Sequence, residues 1–188
     1  MRLEIRQYGD PILRAKGRAI AKIDADILKL AEDMIETMRG AEGCGLAAQQ
    51  IGRDLMICVV EAPEDLDKDD AGQPYNPGLQ MPMIVINPEI IAQSKKTDSR
   101  EEGCLSFPDI RGNIDRAREI TLKFLNEKGE PQQLQVFGFA ARVLQHEIDH
   151  LNGVLFIDRM SYAKRVALKG KLKRMKQETE ERMSEKLT

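Results

Sequence analysis

Between residues 27 and 38, apolar side chains recur at helical spacing (Ile27, Leu30, Ala31, Met34, Ile35, Met38). This predicts an amphipathic helix over about residues 24–39, with Asp24 or Asp26 as N-cap and Gly40 as its stop. Residues 139–151 repeat the helical period up to Asn152-Gly153, a helix-ending pair, and a last helix is predicted from about Ser161 onward. Strands are predicted at Arg2 to Ile5, at Leu55 to Val60, and at Met83 to Asn87 and Ile90 to Gln93 on either side of Pro88. Glu119 to Asn126 turns through Glu127-Lys128-Gly129-Glu130 into Gln132 to Phe137, which reads as a hairpin. Gly9-Asp10-Pro11 is a breaker and Gly43-Cys44-Gly45 a turn, while residues 61–81 form a long polar, acidic surface loop. Strands gathered around one apolar helix predict an α+β fold, with small antiparallel or mixed sheets surrounding that helix and a helix at the C-terminal end.

The 188 residues suit one domain spanning 1–188. Twenty-nine basic against thirty-one acidic residues leave a net charge of −2, so no DNA partner is expected. Aromatic residues make up only 4%, without Trp, which argues against base or sugar stacking. No apolar run approaches the ~18–20 residues of a membrane span, so no membrane partner is expected either. Arg2, Glu4, Arg6 and Asp10 make the first residues unlike a secretory signal, and a cytoplasmic location is expected. Three cysteines, Cys44, Cys58 and Cys104, are too few and scattered for a disulfide framework.

The strongest chemical signal is His146-Glu147-Ile148-Asp149-His150, which holds the only two histidines of the chain. Side chains four apart on a helix lie within about 40° of one another, so both imidazoles can reach a single metal ion. Glu147 beside the first ligand is placed to take a proton from a water whose pKa that ion lowers towards ~7. The plain alternative is two packed histidines and a solvated acid. Phe139 and Val143 share the histidine stripe, whereas Ala140, Leu144, Ile148 and Leu151 form an opposite apolar one.

A catalytic site of this kind needs a third protein ligand. The position six residues after His150, where extended zinc-peptidase signatures carry a histidine, is Phe156. The third donor must therefore be Cys, Asp or Glu. Cys58, in Met56-Ile57-Cys58-Val59-Val60, reads as core. Cys44 lies between glycines; Cys104 lies between Gly103, which permits close backbone approach, and Pro108, which stiffens the exit. Spacing favours Cys104 over Cys44 only mildly. Two other readings compete: a metallopeptidase with a downstream acid such as Glu178 as third ligand, and a structural Cys-His-His metal module.

Three segments together resemble the peptide deformylase family: Gly43-Cys44-Gly45-Leu46-Ala47-Ala48-Gln49-Gln50, then Glu102-Gly103-Cys104-Leu105-Ser106, then Gln145-His146-Glu147-Ile148-Asp149-His150. The resemblance covers about residues 5–160 as a catalytic core and leaves a tail of about 161–188. It implies that Cys104 joins His146 and His150 as metal ligand. It further implies removal of the formyl group from N-formylmethionine at the start of nascent polypeptides, with Glu147 moving the proton. The Gln50 amide and the Leu105 backbone N–H would then donate to the developing oxyanion. The methionine side chain is expected against Cys44, Gly45, Phe139 and Val143. Gly43 and Gly45 would let the substrate backbone pair as an added strand, with Arg111 holding it. One divalent ion per chain is implied, Fe(II) natively, with Zn(II), Ni(II) or Co(II) as alternatives. Arg159 to Lys176 is basic without an acid, which suggests ribosome docking through the C-terminal helix, against the plain reading of a solvated helix face.

Overall fold

Asp24 starts the first helix: its carboxylate accepts from the Ile27 amide at 3.2 Å, and α1 runs over Ala25–Gly40. The computed structural model describes residues 1–185; the expected tail's residues 186–188 lie outside them. The strands, in chain order, are β1 (Gly45–Ala47), β2 (Ile57–Val60), β3 (Met83–Gln93), β4 (Thr97–Cys104), β5 (Phe107–Ala117), β6 (Glu119–Leu125) and β7 (Pro131–Phe137). Strand β7 runs directly into α2 (Gly138–Leu151), and a short 3-10 turn at Phe156–Arg159 leads to α3 (Tyr162–Glu185). The fold is α+β, as expected, with antiparallel sheets around α2.

A five-stranded antiparallel sheet has the order β1-β2-β3-β6-β7, and β4 and β5 pair separately. Alternation along β2 explains why Ile57–Val60 reads as an unbroken apolar run. Ile57 and Val59 pack with Met34 and Met38 of α1, while Cys58 and Val60 pack with Ala140, Leu144 and Ile148 of α2. Both faces of the sheet are thus covered. From Ala140 to Leu151 every residue of α2 is buried, because the β4–β5 hairpin closes over its other side. At ~2–5 kcal/mol for truncating one such leucine or isoleucine, this packing fixes where α2 sits.

The sequence pattern gave no strand between residues 95 and 118, and this is its main error. The inward positions there include Glu102 and Arg116, whose burial depends on ion pairing with each other rather than on apolar surface. Three smaller corrections follow. Arg2 to Ile5 is no strand: Leu3 donates to the Thr37 hydroxyl at 2.9 Å, with no ladder beside it. The two strands around Pro88 are one, β3, irregular where Asn87 takes a φ of 51°. Gly45 belongs to β1 rather than to a turn.

The helix α3 lies on the surface along a narrow seam: Leu168, Leu172 and Met175 join Tyr8 and Phe107, and Thr179 is buried. It crosses the N-terminal segment at Gly9, where φ is +116° and a Cβ would come within 2.9 Å of the Lys176 carbonyl oxygen. The Gly9-Asp10-Pro11 breaker is thus also a crossing point. Among the described residues, no helix is long and apolar enough to cross a membrane.

Candidate active site and metal centre

Helix α2 carries His146 and His150 one turn apart, with ring centroids separated by 5.1 Å. Cys104 ends β4 just before the tight turn into β5, and its Sγ stands 3.2 Å from His150 Nε2. The donor atoms of Cys104, His146 and His150 all lie within 4.8 Å of one another, as three ligands of one ion must. A soft sulfur with two imidazole nitrogens suits a late divalent transition metal. The other candidates fall away: Cys58 is fully buried in the core, and Glu178 is exposed on α3. Cys44 is half-buried beside Glu147; burial first, then that carboxylate, pushes its thiol up.

A buried charge network orients His146. Glu102 accepts from Arg116 through both carboxylate oxygens at 3.0 Å, from Arg142 at 2.6 Å, and faces His146 Nδ1 at 3.1 Å. The Nδ1 contact fixes the ring of His146 and leaves its Nε2 free to hold an ion, an arrangement that raises the basicity of a histidine ligand. Arg116 also reaches Asp149 at 2.5 Å, and Arg159 donates two bonds to the same carboxylate. Gln145 pairs with both the N–H and C=O of Ala117, fastening α2 to the end of β5.

Burial works against the charge on Glu102, yet hydrogen bonds from His146 and Arg116 outweigh it and hold the carboxyl well below its usual range. Burial likewise opposes charge on His146, but Cys104 and Glu102 raise its pKa to about 10. His150 is driven well below the ordinary imidazole range by burial and then by the charges of His146 and Arg116, which favours the neutral ring, the form in which an imidazole can hold a metal.

Glu147 is 3% exposed, and burial raises its carboxyl to about 7. A base poised near neutrality both accepts and returns a proton. Gly45 makes room for it: a Cβ there would overlap Oε1 of Glu147 and lie 2.7 Å from its Cγ and Cδ. Gly43 stands similarly against the Leu105 side chain, 2.7 Å from its Cδ1. Gln50 Oε1 accepts from the Ala47 amide at 2.8 Å, which turns its Nε2 towards Cys104 Sγ at 3.6 Å and Ser106 Oγ at 3.4 Å. Serving the local backbone is therefore what aims the amide at Cys104 and Ser106.

The sequence model of the polypeptide deformylase family matches residues 2–166. The chain belongs to the peptide deformylase family. It is 48% identical over 180 residues to the peptide deformylase of Opitutus terrae, covering 92% of each chain. It is 45% identical over 168 residues to that of Thermotoga maritima, covering 89% of this chain and 93% of the relative. The crystal structure of the Thermotoga maritima peptide deformylase aligns with a TM-score of 0.74 at 42% identity, over 86% of this chain and 99% of that one. Peptide deformylase 1B of Arabidopsis thaliana, solved with an inhibitor, aligns at 0.84 and 33%, over 97% and 94%. The chain is thus a metal-dependent hydrolase that removes the formyl group from N-formylmethionine at the start of new polypeptides, releasing formate.

Of the remaining expected residues, Cys44, Phe139 and Val143 pack into one apolar cluster with Leu79 and Met81. Arg111 is exposed and lies across the hairpin from Gly103, its guanidinium 3.6 Å from where a Cβ on that glycine would be. Sequence reasoning gave no role to Glu102, Gln145 and Asp149, although all three stand inside the quoted blocks. Arg116 and Arg142 lay outside them, and only their charge at otherwise apolar periods marked them.

Proposed function

We propose that Cys104, His146 and His150 hold one divalent ion and that Glu147, Gln50 and Leu105 carry the deformylation step around it. The convergence of the three donor atoms within 4.8 Å is the observation on which this rests. When bound, the ion supplies Lewis-acid polarisation and a water acidic enough to ionise near neutrality. Glu147 takes the proton of the attacking water. The Gln50 Nε2–H and the Leu105 N–H donate to the formyl oxygen as negative charge builds on it, each such donor being worth ~3–4 kcal/mol in a water-poor site. Glu147 then returns the proton to the departing nitrogen as the C–N bond breaks, so formamide and water become formate and a free amine. Cys44, Gly45, Phe139 and Val143 receive the methionine side chain, while Gly43 and Arg111 border the peptide backbone.

The native ion in this reading is Fe(II), with Zn(II), Ni(II) or Co(II) as substitutes, and the chain works as one catalytic unit in the cytoplasm, where formylated chains begin. The exposed basic side chains of α3, among them Lys164, Arg165, Lys169 and Lys173, serve ribosome docking. Formate release from formyl-Met-Ala-Ser, lost in Glu147→Ala and in Cys104→Ala, tests the site; cleavage of an internal peptide bond instead refutes it. Activity that decays in air and returns with Ni(II) or Co(II) supports iron, and full activity after long aeration with only Zn(II) present overturns it. Salt-sensitive pelleting with ribosomes that persists after removal of the residues beyond Lys164 overturns the docking.

A further inference from the structure

Strand β7 passes into α2 without an intervening loop, and this leaves the helix start unprovided. Its N-cap position is Phe137, which offers no side-chain acceptor, and Gly138 follows with a φ of +61°. A buried helix start without a cap leaves amides unpaired. The missing acceptor comes from the 61–81 loop: Asp67 Oδ1 accepts from the Ala140 amide at 3.1 Å, across 73 residues of chain. Its Oδ2 accepts from Asn76 Nδ2 at 2.7 Å. Asn76 in turn pairs with both backbone groups of Phe137, at 2.9 and 3.0 Å, as a neighbouring strand would. The Tyr75 ring covers Gly138 so closely that a Cβ there would lie 2.7 Å from its Cγ. At its two ends the same loop meets the substrate region: the Glu61 amide donates to the Cys44 carbonyl at 2.8 Å, and Leu79 and Met81 pack with Cys44, Phe139 and Val143.

We propose that Asp67 and Asn76 are positioning residues for substrate binding: together they latch the acidic loop onto the first turn of the metal-bearing helix and so set where Phe139 and Val143 meet the methionine side chain. The inference rests on those two residues lining the methionine pocket. The histidines lie two turns further on, inside fully packed helix, so the latch acts on binding more than on chemistry. Without the cap, the first turn is folded only part of the time, and apparent affinity falls by that fraction.

Kinetics of the Co(II)-loaded full chain on formyl-Met-Ala-Ser, with hydrogen exchange at the Ala140 amide, test the proposal. Asp67→Ala and Asn76→Ala are each expected to raise KM about fivefold with kcat within about twofold, and to lose Ala140 protection. Asp67→Asn keeps an oxygen for the Ala140 amide but sets a donor against Asn76 Nδ2, so it is expected to restore Ala140 protection while recovering only part of the KM loss. The double variant Asp67→Ala/Asn76→Ala is expected to match either single one, because the two residues act as a unit. Unchanged Ala140 protection in Asp67→Ala overturns the cap. Lost protection with unchanged KM overturns the positioning role, provided Val143→Ala raises KM. A silent Val143→Ala instead removes the pocket assignment, and the proposal with it.

Discussion

Gly45→Ala puts the placement of Glu147 to a direct test. A single methyl at this position overlaps the Glu147 carboxylate and sits 2.7 Å from its Cγ and Cδ, against the 3.4 Å where ordinary contact begins. The backbone has no easy escape, since Gly45 pairs with Val60, and Leu46 and Ala47 are fully buried. Glu147 is itself 3% exposed and must retreat within a packed site. The retreat is about 0.7 Å or more, and misplacements near 1 Å cost catalysis on the order of 100-fold. We therefore expect kcat for formyl-Met-Ala-Ser to fall about thirty- to a hundredfold, equivalent to ~2–2.7 kcal/mol of barrier, with a rise in KM beside it because Gly45 also borders the proposed methionine pocket. Metal content and circular dichroism of the Co(II)-loaded variant should match the parent, because no ligand touches the new methyl. Gly43→Ala is the natural comparison. Its methyl meets Leu105 at Cδ1 (2.7 Å) and Cγ (3.3 Å), a flexible side chain that can swing aside, so the expected loss in kcat is below about threefold. A Gly45→Ala enzyme with full metal content and kcat within threefold of the parent refutes the reasoning: either Glu147 is not held by this contact, or it does not carry the proton.

Glu102→Gln keeps the shape of the network but removes the charge facing Arg116, Arg142 and His146; metal affinity should fall about 10–100-fold in competition with a chelator. Equal affinity would show that the network does not tune His146. Arg159→Ala should lower stability by no more than ~1 kcal/mol, because its side chain is 45% exposed and Asp149 keeps Arg116; Arg116→Ala should lower it by ~3 kcal/mol, because it removes a buried partner from both Glu102 and Asp149 and leaves Glu102 only Arg142 and His146. Urea unfolding of the two variants that shows equal losses would contradict this difference. Co(II) should raise the thermal midpoint of the parent and leave that of Cys104→Ala unmoved. Asp158 is pulled below its ordinary 3.8 by the Arg14 and Leu155 hydrogen bonds, which outweigh its partial burial. A carboxyl depressed in the folded state stabilises above the unfolded pKa and loses that contribution as pH falls through the folded one. The deficit of Asp158→Asn seen at pH 7 should therefore shrink below about pH 4, and a deficit independent of pH would exclude the charge as its cause.

Which parts of this molecule were legible in the chain follows from range. The helical period of α1, the Asp24 cap, the β6–β7 hairpin and the spacing of His146 and His150 are decided by neighbours within a turn or two, and each stands where the pattern put it. The three family blocks carried the choice of Cys104, which spacing alone left open against Cys44. The β4–β5 hairpin escaped because charged Glu102 and Arg116 interrupt its inward positions, and Glu102 is tolerable there only through Arg116 on the paired strand and Arg142 on α2. The capping of α2 escaped for the same reason, its acceptor standing 73 residues away.

By itself, then, the sequence determined the elements with a local period, the candidate metal and proton-carrying residue types, and the family. Tertiary structure alone decided how Glu102 aims His146, why Gly45 must lack a side chain, and what the acidic loop holds. Periodicity and motif spacing are properties of adjacent residues, whereas buried charges and close backbone approaches acquire their partners only once distant segments have packed.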